Sequence, residues 1–375
     1  MSTCVLTSAF MYSPPLPPLG MFRSGQSHSF QRPDQKGRVA QLRLYLVCLK
    51  GCRSLATIPA KESMDSYFDL PGLSQSGMKD LEISPLRYWH LHINPNRPEP
   101  KVSLDMTFGS ALHCLILEPE KFPMRYAKGF DAAMYPDALD TISDIRSWIS
   151  SKGGTPRGST KLGLIEQAHG IDPDVQLVVE LEASHAAETE GMELLKPVDW
   201  ERIHGCAGAL QSHPSFMALM AEGEAEVAMS AVEPENGVLL KAKMDWVNPY
   251  CIMDIKTFGL MRDQPIDEAV ADAIYYRRYY RQAYLYSLIR SLQPGSRPLS
   301  SSRFVFAFVE SSEPYEVRLR EVRPGGLLWA RAAAECNALI WQYKKYSDRF
   351  GIVQWRDDQQ VVQLDDEDIR QLAFS

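Results

Sequence analysis

Apolar residues recur along the chain with two spacings, one typical of helices and one typical of strands. Helical spacing predicts helices over 76–90, 103–117, 197–222, 267–292 and 324–347. Alternating spacing predicts strands over 225–232, 237–247, 251–257, 302–310 and 315–322, and residues 137–170 are mixed. Helices first, then a strand meander, a helix and further strands indicate an α/β or α+β fold with a mixed central sheet flanked by helices.

The first 63 residues have a different composition. They contain PPLPPLG, many Ser, Arg and Gln residues, and one short apolar run, LRLYLVCL at 42–49. Such a segment buries little apolar surface, so we expect a poorly ordered leader over 1–63 and a functional start at Met64. The apolar run is too short to span a bilayer, so we expect no membrane role. Residues 64–375 are predicted to form one domain.

Composition narrows the function classes. The chain has 375 residues and a formal net charge of −7, which argues against a uniformly basic nucleic-acid coat but allows a local basic groove. Its seven cysteines are scattered, and no CxxC pair suggests zinc or an iron–sulfur cluster. We therefore expect a cytoplasmic protein without an iron–sulfur cluster.

Two aspartates and a lysine interrupt an apolar hairpin, MDWVNPYCIMDIKTF at 244–258. Alternation places Asp254 and Lys256 on one face, and a turn at Asn248-Pro249 brings Asp245 opposite Asp254. Two carboxylates this close repel each other unless a cation neutralises them, which predicts Mg²⁺, with Mn²⁺ as a substitute. Lys256 is then placed to orient or deprotonate a water, or to stabilise charge on a phosphate. The alternative is a plain cross-strand ion pair between aspartate and lysine.

Several motifs in a fixed order accompany this hairpin. Asp245 followed by Asp254-Ile255-Lys256 resembles the core of the PD-(D/E)xK nucleases. GSALHCLILEPEKF at 109–122 resembles the G-x-x-x-H helix of their RecB-like and RecE-type branch, and QAYLY at 282–286 resembles its Q-x-x-x-Y motif. GLSQSGMKDLEISPLRYWH at 72–90 resembles the opening of the RecE-type domain. The resemblance covers about residues 70–310 and extends to the lambda-exonuclease superfamily.

The resemblance implies a restriction-endonuclease-like core and a role for each matching residue. Asp245, Asp254, Lys256 and Glu226 are the implied catalytic residues, although Glu226 has near competitors in the acidic stretch around it. The implied metal ligands are His113, Asp245, Asp254 and Ile255. The residues implied to position DNA are Gln282 and Tyr286.

Each of these side chains also has a structural alternative. His113 follows Gly109 by one helical turn, with Ala111 between them, so the helix is expected to approach the sheet closely; a satisfied core histidine is the alternative. Tyr275 and Tyr279 are expected to be packing residues on the same long helix. Basic charge from Arg277, Arg278 and Arg281 serves either DNA or a solvated face, and of these we select Arg278 as a DNA contact.

A second nucleic-acid signal lies within residues 137–170. LDTISDIRSWISSKGGTPRGSTKLGLIEQA at 139–168 predicts a helix, an extended loop and a second helix, with N-caps at Thr141 and at Ser159 or Thr160. The loop carries Lys152, Arg157 and Lys161 among glycines, where cations and backbone amides can meet a phosphate. This segment resembles SAP or HeH-type DNA-binding motifs, and the alternative is a purely structural turn.

The resemblance as a whole implies an exonuclease VIII-like, RecE-type activity. Such an enzyme is a Mg²⁺-dependent exonuclease that acts on duplex DNA ends and leaves single-stranded tails for recombination and repair. Its implied partners are DNA, a RecT-type annealing protein and further copies of itself. The alternatives are a RecB-like single-strand nuclease subunit and a DNA-binding or assembly module without activity.

Overall fold

The computed structural model describes Tyr67 and residues 72–98, 104–261 and 264–356. The predicted leader over 1–63 lies outside these residues. The α-helices of the described part are α1 (Gln75–Ile83), α2 (Pro85–Tyr88), α3 (Leu104–Leu117), α4 (Phe122–Arg125), α5 (Ile142–Ser151), α6 (Lys161–Ile171), α7 (Val178–Glu188), α8 (Pro197–Ser212), α9 (Pro214–Met220), α10 (Ile266–Tyr276), α11 (Tyr279–Ser291) and α12 (Leu327–Phe350).

The strands form two sheets. A small parallel sheet joins β1 (Tyr126–Lys128) to β2 (Glu193–Leu195). The main sheet has the order β3-β4-β5-β6-β7, formed by β3 (Glu224–Val232), β4 (Leu239–Val247), β5 (Ile252–Phe258), β6 (Phe304–Glu310) and β7 (Val317–Val322). Within the main sheet of the described residues, β5 and β6 are the one parallel pair, because α10 and α11 carry the chain back across the sheet between these strands. The predicted α/β fold with a mixed central sheet is confirmed.

Helices cover both faces of the main sheet. On one face, α1, α2, α10, α11 and α12 pack over Phe304, Phe306 and Phe308 of β6; we name this cluster the first core. On the other face, α3, α8 and α9 pack over Val305, Ala307 and Val309; we name this cluster the second core. Strand β6 alternates its side chains between the two cores and is buried along its whole length, as a central strand covered on both sides should be.

The strand predictions are confirmed to within a few residues, but three predicted helices are interrupted. Pro85 ends the helix predicted over 76–90, because α1 stops at Ile83 and Ser84 caps α2. The helix predicted over 197–222 divides at His213, which precedes Pro214. The prediction of one helix over 267–292 is wrong, because Arg278 adopts a left-handed conformation (φ +57°) that separates α10 from α11.

A buried arginine ties three helices together beside that break. Arg281 of α11 is 4% exposed, and its guanidinium donates to both carboxylate oxygens of Glu82 on α1 at 2.7 and 2.8 Å. Its Nε donates to Glu335 on α12. The solvated face that we allowed for Arg281 is therefore wrong, because burial requires both carboxylates as partners.

A third, smaller core lies between α5 and α6. Ile145 and Ile149 of α5 pack against Leu164 and Ala168 of α6, and Leu139 and Leu177 close the cluster. Thr141 and Asp144 form a capping box at the start of α5. None of the described helices is long and apolar enough to cross a membrane.

Candidate active site

The β4–β5 hairpin is held by a short, well-satisfied turn. The side-chain oxygen of Asn248 accepts from the N–H groups of Tyr250 at 2.8 Å and Cys251 at 2.7 Å. The ladder beyond this turn pairs Val247 with Ile252 and Trp246 with Met253, and then stops. Asp245 and Asp254 are the next opposing residues in this register, so they stand where the two strands begin to separate.

Asp245 replaces the missing ladder contact with its side chain. Its Oδ2 accepts from the backbone N–H of Ile255 at 2.8 Å. This bond satisfies a backbone donor and lets the strands diverge without an unpaired N–H. It also fixes the Asp245 carboxylate beside β5.

Asp254 is buried on β5 beneath α11 and is held by two partners. It is 2% exposed, the Gln282 amide donates to its Oδ2, and the Lys256 ammonium contacts its Oδ1. Burial, together with the negative charge of Asp245, raises the pKa of Asp254 to about 6, and the Lys256 charge offsets only part of this. The ionised Asp254 carboxylate is therefore unfavourable in this site, and further positive charge nearby would stabilise it.

Lys256 remains an ammonium in this setting. Burial alone would lower its pKa, but the charges of Asp254 and Asp245 outweigh burial and raise the pKa. Its Nζ also lies 5.1 Å from the ring centroid of Tyr279 at the start of α11. A protonated lysine at this position can orient a nucleophile or stabilise phosphate charge, but it is poorly suited to removing a proton.

Glu226 sits at an irregular point of β3. The β3–β4 register places it opposite Asp245, but the ladder omits this pair, and Glu226 has a left-handed backbone (φ +57°). The strand faces exchange at the same point: on β4, Met244 belongs to the first core whereas Trp246 packs against the second. This local twist turns the carboxylate of Glu226 toward that of Asp245.

His113 reaches the same point from α3. Its Nε2 lies 3.0 Å from the Ile255 carbonyl oxygen, and its Nδ1 lies 3.5 Å from Oδ2 of Asp245. Because the carbonyl only accepts, Nε2 carries the hydrogen in this bond, and Nδ1 faces a carboxylate. The helix α3 approaches the sheet closely, as expected, because Ala111 is fully buried in the second core. Gly109 is not the point of contact, since a Cβ there would meet no atom within 4 Å.

His113, Glu226 and Asp245 together fit a divalent cation. One potential ligand atom from each lies within 4.8 Å of the others. One imidazole and two carboxylates suit Mg²⁺ or Mn²⁺ chemically, and two acceptors facing each other, as at Nδ1 of His113 and Oδ2 of Asp245, require a cation or a proton between them. The predicted set of His113, Asp245, Asp254 and Ile255 is thus only partly assembled. Asp254 instead contacts Gln282 and Lys256, and the Ile255 carbonyl contacts His113.

A second lysine in this site was not predicted as functional. Lys243 precedes Asp245 by two residues on β4, and its ammonium contacts the Glu226 carboxylate. Burial lowers the pKa of Lys243. The alternation of KAKMD already places Lys243 and Asp245 on one face of the strand, which was the available signal.

The residues predicted to position DNA occupy three different settings. Gln282 is buried against Asp254, and Tyr286 follows one turn later on α11 with its hydroxyl pKa raised by burial. Arg278 pairs with Glu82 at the α10–α11 break. The structure thus places Gln282 next to the candidate catalytic carboxylate and Arg278 toward solvent.

The cations of the helix–loop–helix segment lie between His113 and Glu226 in the sequence, and they are exposed or half-exposed. Lys152 lies 5.4 Å from the ring centroid of Trp148, and Lys161 is 3.4 Å from Asp140. The Gln167 side chain on α6 accepts from the Arg157 N–H and donates to the Arg157 carbonyl, so it holds the backbone of this residue while the Arg157 side chain is exposed. Thr160 caps α6 through the N–H of Gly163.

Known structures offer distant likenesses. A crystal structure of a candidate exonuclease from Eubacterium rectale is similar at 16% identity with a TM-score of 0.46, covering 76% of this chain and 87% of that one. The crystal structure of SSO0001 is similar at 11% identity with a TM-score of 0.22, covering 64% and 86%. No curated protein matches the sequence.

One family model matches most of the fold. It is described as a PDDEXK-like domain of unknown function (DUF3799), and it matches residues 74–348. This range contains the whole main sheet and every residue of the candidate site. Because the match spans well over half of the chain, this protein belongs to the family of PDDEXK-like domains of unknown function, DUF3799.

Proposed function

We propose that this protein is a divalent-metal-dependent deoxyribonuclease that hydrolyses phosphodiester bonds. One observation carries the proposal: His113, Glu226 and Asp245 converge where β4 and β5 separate. The Asp254–Lys256 pair lies on β5 at the same separation. A resident metal would act as a Lewis acid on the scissile phosphate and on its nucleophile. The membership of the chain in a PDDEXK-like family supports this chemistry.

The side chains divide the work by their charge and contacts. The imidazole of His113 and the carboxylates of Asp245 and Glu226 are the groups that would hold Mg²⁺ or Mn²⁺, with Asp254 as a further carboxylate at the same strand separation. Lys256, kept protonated by the aspartates, would orient the attacking water and offset charge on the phosphate. Gln282 fixes the orientation of Asp254 through its amide and is a positioning residue.

We further propose that the enzyme is an exonuclease acting on duplex ends, as the RecE-type resemblance implies. In this proposal the products are single-stranded tails for a RecT-type annealing protein, and the active form is a homo-oligomer. The exposed cations Lys152, Arg157 and Lys161 of the helix–loop–helix segment would hold duplex phosphates without reading sequence. Tyr286 and Arg278 would contact the strand near the site.

The proposal is tested with end-labelled duplex DNA and a covalently closed circle of the same sequence. We expect the parent to degrade the linear duplex with Mg²⁺ or Mn²⁺, to spare the circle, and to be inactive with a chelator. Asp245→Asn should lower the rate at least about a hundredfold, because it removes one proposed ligand charge. The control is Asp267→Asn, which changes an exposed aspartate on α10.

The outcomes separate the candidate functions. Cleavage of the circle would refute exonuclease action but retain a nuclease. Degradation of single strands alone would favour the RecB-like alternative. Equal rates for the parent and Asp245→Asn, or no cleavage of any DNA with either ion, would refute the nuclease and leave a DNA-binding or assembly module.

A further inference from the structure

A cleft of about 390 Å³ opens between α1 and the α10–α11 break. Lys79 and Glu82 of α1 line one side, and Tyr276, Arg277 and Arg278 line the other. The left-handed conformation of Arg278 produces the sharp break that projects these residues into one opening. We name this opening the basic cleft.

The basic cleft carries excess positive charge. Its carboxylate, Glu82, is already neutralised by ion pairs with Arg278 and Arg281. Among the described residues, neither the Lys79 side chain nor the Arg277 side chain makes an ion pair or a hydrogen bond. Burial, followed by the charges of Lys256 and Arg277, lowers the pKa of Lys79, as expected for a lysine held among cations. An anion is the ligand that this charge arrangement lacks.

The basic cleft begins beside the candidate active site. Tyr279 lines the cleft, and the Nζ atoms of Lys79 and Lys256 lie 5.9 and 5.1 Å from the centroid of its ring. Phe306 and Phe308 of β6 pack against the same ring and hold it in place. A strand whose scissile phosphate meets Lys256 can therefore continue over Tyr279 into the cleft.

An exposed aromatic ring completes the opening. Tyr276 is 73% exposed at the end of α10, so one face of its ring is open to a stacking partner. Cations that follow a backbone, together with an aromatic face on which a base can stack, are the two elements of single-strand recognition. An isolated inorganic anion would use the cations but would have no use for the ring.

We propose that the basic cleft binds the nucleotide next to the scissile phosphate, with Lys79 and Arg277 on its phosphate and Tyr276 against its base. This inference rests on the proposed nuclease function and extends it to the path of the strand being cut. It assigns substrate-binding roles to side chains outside the metal site.

The test measures DNA binding separately from cleavage. On an Asp245→Asn background with Mg²⁺, which keeps the DNA intact, binding of a fluorescent single-stranded oligonucleotide is followed by anisotropy over a range of salt concentrations. We expect Lys79→Gln with Arg277→Gln to reduce the slope of log K against log[salt] by about 0.7 for each phosphate that the double variant no longer neutralises. The matched control is Lys345→Gln, which removes another lysine that lies over a tyrosine ring, 5.8 Å from the Tyr346 centroid, on α12.

Chemical removal of one phosphate charge locates the phosphate that the cleft binds. A series of oligonucleotides carries a single neutral methylphosphonate at successive positions. At the position adjacent to the cut, the substitution should weaken binding to the background protein and to the Lys345→Gln protein, and should have little effect on the double variant. Tyr276→Ala should weaken binding without changing the salt slope, because a stacking contact releases no counterion.

Each result decides a different claim. If the double variant and Lys345→Gln bind with the same affinity and slope while the parent cleaves DNA, the cleft inference is overturned and the nuclease stands. If the variants differ as expected but the parent never cleaves, the cleft is upheld as a DNA site and the nuclease function falls. Binding of inorganic phosphate with no effect of the methylphosphonate would also overturn the inference.

Discussion

The two hairpin aspartates stand opposite each other in register but have different surroundings. Asp245 lies at the open side with His113 and Glu226, and its carboxylate bonds a backbone N–H. Asp254 lies under α11, 2% exposed, between Gln282 and Lys256. Residue types and alternation predict that the two carboxylates come close to each other across the hairpin. They do not predict which partners each carboxylate takes, because those partners come from α3, β3 and α11.

Asp254 should make the stability of the metal-free protein depend on pH. Its pKa is about 6 in the folded protein against 3.8 as the ordinary value, so its protonated form is favoured by folding. This contribution is complete below the ordinary value and is lost as pH rises through about 6. Relative to Asp254→Asn, the parent should lose at most about 1.4 kcal/mol of unfolding free energy per pH unit between about pH 4 and pH 6.

Urea unfolding in a chelator, repeated across this pH range, measures the difference. Comparing slopes rather than absolute stabilities removes the constant cost of leaving Lys256 without its partner. Asp267→Asn serves as the control for an exposed aspartate. A parent-minus-variant difference that stays flat or grows with pH would contradict the burial argument.

At the scale of elements, the strands were more predictable than the helices. Alternation in β3, β4, β5, β6 and β7 follows directly from burial on two faces, and each strand lies within a few residues of its predicted range. The prediction of one long helix over 267–292 failed because the apolar periodicity continues through Arg277 and Arg278, although the helical backbone is interrupted there. Tyr275 therefore lies on a different helix from Gln282 and Tyr286, and it is 45% exposed rather than packed in a core.

Replacing the buried Arg281 should lower the free energy of unfolding more than replacing an exposed arginine of the same helix layer. Arg281→Leu would leave Glu82 and Glu335 without their shared buried partner, which should cost about 3 kcal/mol or more of unfolding free energy. Arg331→Leu is the matched control, because Arg331 also pairs with Glu335 but its side chain is 47% exposed. Chemical unfolding should rank the two variants in this order, and similar small losses in both would refute a stabilising role for the buried network.

The fold of the whole molecule surrounds one site with elements from distant parts of the sequence. His113 on α3, Glu226 on β3, the β4–β5 hairpin and Gln282 on α11 meet at the edge where β4 and β5 separate. The matched family range, 74–348, contains all of them. The segment ahead of residue 64 contributes none of these groups.

A protein that begins at Met64 should therefore retain its activity. We expect the same thermal midpoint and the same rate of duplex degradation as for the full chain. Differential scanning fluorimetry and the end-labelled assay are the measurements. A protein starting at Gly72 is the informative comparison, because it lacks Tyr67, whose carbonyl accepts a hydrogen bond from Lys241 of β4 at 3.2 Å. Loss of activity in the Met64 protein would assign a function to residues 1–63.

The sequence by itself determined the sheet strands, the hairpin turn at Asn248 and the presence of Asp245, Asp254, Lys256 and His113, because periodicity, turn chemistry and residue type are local properties. Tertiary structure alone decided which side chains contact each other. The left-handed conformations of Glu226 and Arg278, the Lys243–Glu226 contact and the basic cleft are visible only in the three-dimensional structure. A linear pattern carries the faces of single elements, but a site formed from five elements depends on how those faces are oriented in space.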